Sequence, residues 1–281
     1  MTVDPNHSLR ASGEAVHLLH DDSAFADAKG RKERLDALRN AVAKIEQKPC
    51  GDEQKVLPLG LPKLQTHLPG AGLPVGVLHE VLARAYGDRP SAFGFVFALL
   101  ATALSSRSGP AIVVLTRKAV LDFGRPYSQG LRQHGIEPER LVIVETRSDR
   151  DAHWALEEAV RSDACPAMVV AAVTGDLNLT ASRRLNLAAA AQGTPLAVIR
   201  LAGATGTSAA ATRWNVSSAP AEADRFGSFG RDRWRARLER CRNGRPGEWL
   251  IEWTHGSHCF RLAEGMANRT PAASAAVCAA G

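Results

Sequence analysis

With 281 residues, 45% of them apolar, and a formal net charge of +6, the chain is long enough for one sizeable core with a short arm at each end. No apolar run approaches the roughly 20 residues that cross a bilayer, and Met1-Thr-Val-Asp-Pro-Asn6 lacks a basic segment followed by an apolar one, so a cytoplasmic protein without a membrane partner is expected. The cysteines, Cys50, Cys165, Cys241, Cys259 and Cys278, are five in number, scattered, and form no C-x-x-C pair, which argues against a disulfide framework or a zinc ribbon and predicts reduced thiols.

The charge is unevenly spread. Residues 29–48 hold seven Lys/Arg and three Asp/Glu, a surplus of +4, and residues 225–245 hold eight Arg and two acids, a surplus of +6, so the remainder sums to −4. Two basic segments on a slightly acidic body suit nucleic acid or an acidic protein surface, and equally a solvated face. Residues 1–28 are polar and without period, which predicts a mobile arm. From Gly30 to Lys48, Leu35, Leu38, Val42 and Ile45 form one apolar stripe on a basic helix. That stripe needs cover, either from the chain's own core or from another protein. Pro49-Cys50-Gly51 ends the helix and opens a linker, so residues 1–56 read as an arm and helix preceding a core over 57–202.

Gly72 to Ser108 has the layout of a phosphate-binding strand, loop and helix. Val75, Val77, Leu78 and Val81 make a β-rich run; Arg89-Pro90-Ser91 starts a helix carrying Phe93, Val96, Phe97, Leu100 and Leu104. Against G-x-x-x-x-G-K-[ST], however, the loop keeps only Gly87, with Ala92, Phe93 and Gly94 where glycine, lysine and hydroxyl belong. The lysine neutralises phosphate and the hydroxyl holds magnesium; Phe93 does neither, and an ordinary apolar helix under a sheet is the expectation.

Strand-length runs then alternate with helical stretches: Pro110–Thr116, a helix over Tyr127–His134 stopped by Gly135, Arg140–Glu145, a helix over Asp149–Ser162, Ala167–Val173, a helix over Thr180–Gln192, and Pro195–Leu201. Continuous Val/Ile/Leu strands between helices predict an α/β fold with a mainly parallel sheet covered on both faces. Residues 203–262 change character. Gly203 to Arg213 reads as a flexible loop, and Trp234–Cys241, Glu248–Thr254 and Cys259–Leu262 as a small C-terminal β appendage; residues 263–281 lack core-forming bulk and are expected to be disordered.

Two clusters merit weighing for chemistry. His255-x-x-His258-Cys259 has donor spacing but no fourth ligand in the sequence, and a hairpin turn with exposed histidines is favoured over a metal site. In Arg231–Arg242, a strand places Arg231, Arg233, Arg235 and Arg237 on one face and Trp234, Ala236, Leu238 and Arg240 on the other; with Arg242 these arginines form a candidate ridge for DNA or an acidic partner. No G-x-S-x-G or H-E-x-x-H pattern supports a hydrolase.

Leu59-Gly-Leu-Pro62, Leu68-Pro-Gly-Ala-Gly-Leu-Pro-Val-Gly-Val-Leu-His-Glu80, Arg213-Trp214, Trp234 through the Arg242–Gly247 turn, and Trp249-Leu-Ile-Glu-Trp253 resemble, as a set, the ImuA family of RecA-like and SulA-like bacterial proteins. The resemblance spans roughly residues 57–262. It implies a RecA-like core and an accessory role in SOS-induced, error-prone translesion DNA synthesis beside an ImuB-like protein of Y-family type and a DnaE-type polymerase, with self-association or RecA as further partners. A RecA-like ATPase also needs acids after its strands, yet Ala171-Ala172-Val173 and Arg117-Lys118 stand there, which implies a non-enzyme without a cofactor. The alternatives are a SulA-like cell-division inhibitor and a divergent DNA-dependent ATPase.

Overall fold

A computed structural model describes residues 56–175, 177–201, 206–221 and 231–263. The arm, the basic helix with Leu35, Leu38, Val42 and Ile45, and the tail from residue 264 lie outside the described residues.

The Leu/Pro-rich opening folds onto the core: β1 (Val56–Leu57) pairs antiparallel with β2 (Leu73–Pro74) around α1 (Pro62–Gln65), burying Leu57, Leu59, Leu61, Leu64, Leu68 and Leu73. β3 (Leu78–Ala83) starts later than the Val75–Val81 run implies. Gly76 lies between, at φ +67, and a Cβ on it would crowd Gly193 Cα at 3.3 Å, so the chain turns there before entering the sheet. α2 (Arg89–Ser106) begins at the expected Arg89-Pro90, where a proline's missing N–H has no helical partner to lose.

β4 (Ala111–Thr116) runs into α3 (Arg117–Phe123), a helix the spacing did not reveal; Thr116 Oγ1 caps it by accepting from Ala119 N at 3.2 Å. There follow α4 (Ser128–Gln133), β5 (Leu141–Thr146), α5 (Asp149–Arg161), β6 (Met168–Val173), α6 (Leu179–Gln192) and β7 (Leu196–Arg200). Ser148 and Asn178 cap α5 and α6. β8 (Thr212–Ser218), β9 (Asp232–Cys241), β10 (Gly247–Thr254) and β11 (Cys259–Leu262) follow among the described residues.

One nine-stranded sheet runs in the order β11-β10-β9-β8-β3-β7-β6-β4-β5. Pairing is parallel from β8 to β5 and antiparallel from β8 to β11. Side chains alternate between two cores. Val81, Val113, Val170, Ile199, Trp214 and Trp234 face α2, whereas Val114, Val169, Ala171, Val198 and Leu196 face α5 and α6. Burying each Val, Leu or Ile side chain among these stabilises by about 1.5 to 3 kcal/mol, and both faces of the parallel part are covered except at the edge strand β5, where Val142 and Ile143 stay exposed.

Three expectations need correcting. The loop expected through Arg213 ends earlier, because Thr212 and Arg213 already belong to β8, which pairs with β3 inside the main sheet and joins the C-terminal strands to it. The stretch Tyr86–Ser106, 21 residues long, does reach membrane-spanning length and hydropathy; it is apolar all round because α2 packs between the sheet and neighbouring elements, with Phe95, Val96, Leu99 and Leu100 buried. Cys165 is disulfide-bonded rather than reduced, a proximity that linear spacing does not encode.

Candidate functional site

The loop between β3 and α2, where a phosphate would sit, is a single 3₁₀ turn, Tyr86–Asp88. Asp88 Oδ1 fastens it to the end of β8 by accepting from Ser218 N at 2.9 Å and Ser218 Oγ at 3.0 Å. Gly87 adopts no left-handed conformation and a Cβ there would meet nothing. Gly94 has a packing reason instead: its Cβ would stand 3.1 Å from Trp234 Cζ2. Ala92 is buried, and the Phe93 ring meets Phe123 at 5.3 Å between centroids. Beside the start of α2, a cleft of about 210 Å³ between α2 and the β4–α3 segment is walled by Pro90, Phe93, Phe97, Leu115, Ala119 and Phe123. Its one basic lining residue, Arg125, is engaged by Glu145, with Nη2 2.8 Å from Oε2. A phosphate entering here would lose water and gain carbon neighbours, which is unfavourable; an apolar side chain fits.

Glu80 lies in the third position of β3, not at a strand end, and is fully buried. Arg200 Nη1 on β7 is 3.4 Å from Oε1, and Arg213 Nε on β8 donates to Oε2 at 2.9 Å. One carboxylate therefore ties the two strands that flank β3, which favours a structural role over a catalytic one. Beside it, His79 is fully buried. Nε2 lies 2.8 Å from Pro74 O, which only accepts, so that nitrogen carries the proton; Nδ1 then accepts from Thr212 Oγ1 at 2.7 Å, and Thr212 accepts from Trp214 Nε1 at 3.0 Å. Burial pushes the His79 pKa down to about 4, only partly opposed by the Pro74 bond.

The arginine ridge is more divided than its parity implies. Trp234, Ala236 and Leu238 are buried against α2 and Arg235 and Arg237 are exposed, as alternation predicts. Arg233, though on the same face, is buried: Nε donates to Glu252 Oε1 at 2.7 Å and Nη1 to Pro220 O at 3.1 Å. Arg231 Nη1 stands 3.6 Å from the same carboxylate. Arg240 is not on the apolar face. A bulge leaves Arg213 opposite Arg240 but Trp214 opposite Leu238, turning Arg240 to the side of Arg213, where it donates to Ser208 O and Ala210 O. Arg242 donates to Ala209 O at 3.3 Å. What remains open is a shallow polar cleft of about 70 Å³ lined by Arg84, Arg235, Arg237, Asn215, Ser217 and Glu248.

No family model matches the chain. It is, however, 35% identical over 237 residues to the protein named Protein ImuA in two strains of Caulobacter vibrioides, a match covering 79% of this chain and 94% of each relative. The chain belongs to the ImuA family.

In this ImuA-family fold, several residues with evident work were not visible as such in the sequence. The Glu80–Arg200–Arg213 cluster and the Arg233–Glu252 pair join residues 120, 133 and 19 positions apart, so only strand order and register bring them together. His255-x-x-His258-Cys259 does not close on itself either. A Cβ on Gly135 would meet His258 at 2.5 Å, so His258 lies against that glycine; Cys259 Sγ is 3.0 Å from Ser257 Oγ, and His255 turns to His134 and Asp232 instead.

Proposed function

We propose that this ImuA-family protein is a non-catalytic, RecA-like adaptor in SOS-induced, error-prone translesion DNA synthesis, working with an ImuB-like protein and a DnaE-type polymerase in the cytoplasm, at the nucleoid when active. The observation that carries the reading is Phe93 in the place of the phosphate-binding lysine on α2, where with Pro90, Phe97 and Phe123 it walls an apolar cleft between α2 and α3. Phosphoryl transfer rests almost entirely on positioning and charge stabilisation, and these walls supply neither. The strand ends argue the same way: β6 finishes on buried Ala171, Ala172 and Val173, and at the next residue Asp149 is occupied, accepting from Thr174 N and Oγ1 at 2.8 Å each. The parallel order β5-β4-β6-β7-β3-β8, with the loop after central β3, supports a RecA-like relationship. The exposed Arg235 and Arg237 are the proposed contacts to nucleic acid.

Co-purification tests the reading: the full chain is offered an ImuB-like protein, a DnaE-type polymerase and, as competitor bait, a division GTPase. The adaptor role requires capture of the first two. Capture of the division GTPase alone would replace it with a SulA-like inhibitor.

A further inference from the structure

We propose that His134, Asp232 and His255 bind one divalent transition-metal ion, zinc, which ties the C-terminal strands to the body of the fold. The three residues come from the end of α4, the first position of β9 and the residue after β10. Asp232 Oδ2 lies 3.4 Å from His255 Nε2 and 3.9 Å from His134 Nδ1, and the three donor atoms fall within 4.8 Å of one another. Tetrahedral zinc with bonds of about 2.0 to 2.1 Å sets its donors roughly 3.4 Å apart, so the Asp232–His255 pair already has that spacing, and an inward swing of His134 closes the site.

The hydrogen bonds behind the rings decide what the cluster offers. His134 Nε2 is 3.2 Å from Gly94 O, and His255 Nδ1 is 3.1 Å from Gln133 O. A carbonyl only accepts, so each of these nitrogens carries the proton and the opposite nitrogen turns a lone pair toward the Asp232 carboxylate. Three lone pairs converge with no hydrogen among them. A backbone carbonyl behind each imidazole is the arrangement that orients metal-bound histidines, and stacking on Trp253, at 5.5 Å and 20°, further fixes His134. Two imidazoles and one carboxylate suit a borderline ion such as zinc rather than magnesium or calcium, which take oxygen ligands. His255 and Asp232 remain 41% and 45% exposed, leaving an entry path and room for a water in the fourth position.

The test uses untagged full-length protein equilibrated with zinc against a chelating indicator, and with cobalt as a spectroscopic substitute. The proposal expects one zinc per chain and a visible cobalt band of tetrahedral type, with zinc affinity falling by roughly tenfold or more in His255→Gln and Asp232→Asn and unchanged in His258→Gln. Wild-type protein that takes up no stoichiometric zinc would overturn it and leave the cluster as an ion pair. So would full zinc affinity in His255→Gln and Asp232→Asn. The wild-type stoichiometry and cobalt spectrum decide the matter even where a variant folds poorly.

Discussion

Arg213 donates from Nε to Glu80 Oε2 at 2.9 Å, across the β3–β8 pairing, with the carboxylate fully buried and Arg200 3.4 Å from its other oxygen. Two guanidinium groups share one anion in the middle of the sheet, so its charge matters more than its volume. Glu80→Gln, nearly isosteric, should destabilise the fold by roughly 3 to 5 kcal/mol, the cost of removing one partner from a buried ion pair. Chemical denaturation of the variant measures this, and a loss under about 1 kcal/mol would show that the cluster is effectively solvated.

His79 gives the fold a pH dependence with a definite sign. Its folded pKa of about 4 lies below the ordinary 6.5 because burial disfavours the charged ring. Below 6.5 the unfolded chain takes up a proton that the folded chain refuses, so this group's stabilisation is present above that value and is lost as pH falls toward 4. The loss amounts to about 3 kcal/mol. Denaturant midpoints compared between about pH 7 and about pH 4.5 should therefore differ less in His79→Asn than in the parent protein, with buried His134 and His153 supplying part of the remaining difference; an unaltered acid dependence would mean that other groups cause all of it.

The nucleic-acid contact is expected to be narrower than the six arginines of the ridge. Because Arg233 is buried on Glu252, Arg231 stands 3.6 Å from the same carboxylate, and Arg240 and Arg242 hold the carbonyls of residues 208–210, Arg235 and Arg237 are the ridge arginines offered to phosphates, Arg235 by leaving Glu248 at 3.7 Å. Replacing both with Ala should lower the log–log salt slope of DNA binding by about 0.7 to 0.9 per residue without altering stability. Arg233→Ala should do the reverse, destabilising the β9–β10 hairpin with little effect on the slope. Retention of the full slope in the double variant would assign this face to solvent or to a protein.

Much of the fold is legible in the sequence where physics is local. The Val/Ile/Leu runs of β4, β6 and β7 read as buried parallel strands, and α2, α5 and α6 begin within a residue of their expected starts. β8 was hidden because Thr212-Arg-Trp-Asn-Val-Ser-Ser is mostly polar and adjoins a small-residue stretch; the inward Thr212, Trp214 and Val216 were the available signal. For α3 the signal was Thr116, which serves as both strand end and helix cap. Site residues were harder. A slip of one residue in the β9–β10 register would set Arg233 against Ile251 or Trp253 instead of Glu252, and nothing within either strand alone fixes that register. Of the cleft's aromatic walls, Phe93 and Phe97 were legible as residues of the expected apolar helix, whereas Phe123 sits on α3, which the spacing did not reveal.

The central claim is that this ImuA-family protein works without nucleotide chemistry, and the direct measurement is equilibrium binding and turnover of magnesium-ATP by the purified full-length chain, with and without single-stranded DNA. A cleft walled by Phe93, Phe97 and Phe123 predicts no saturable binding and hydrolysis at background in both conditions. Saturable binding with DNA-stimulated hydrolysis would contradict the account and make the protein a divergent ATPase.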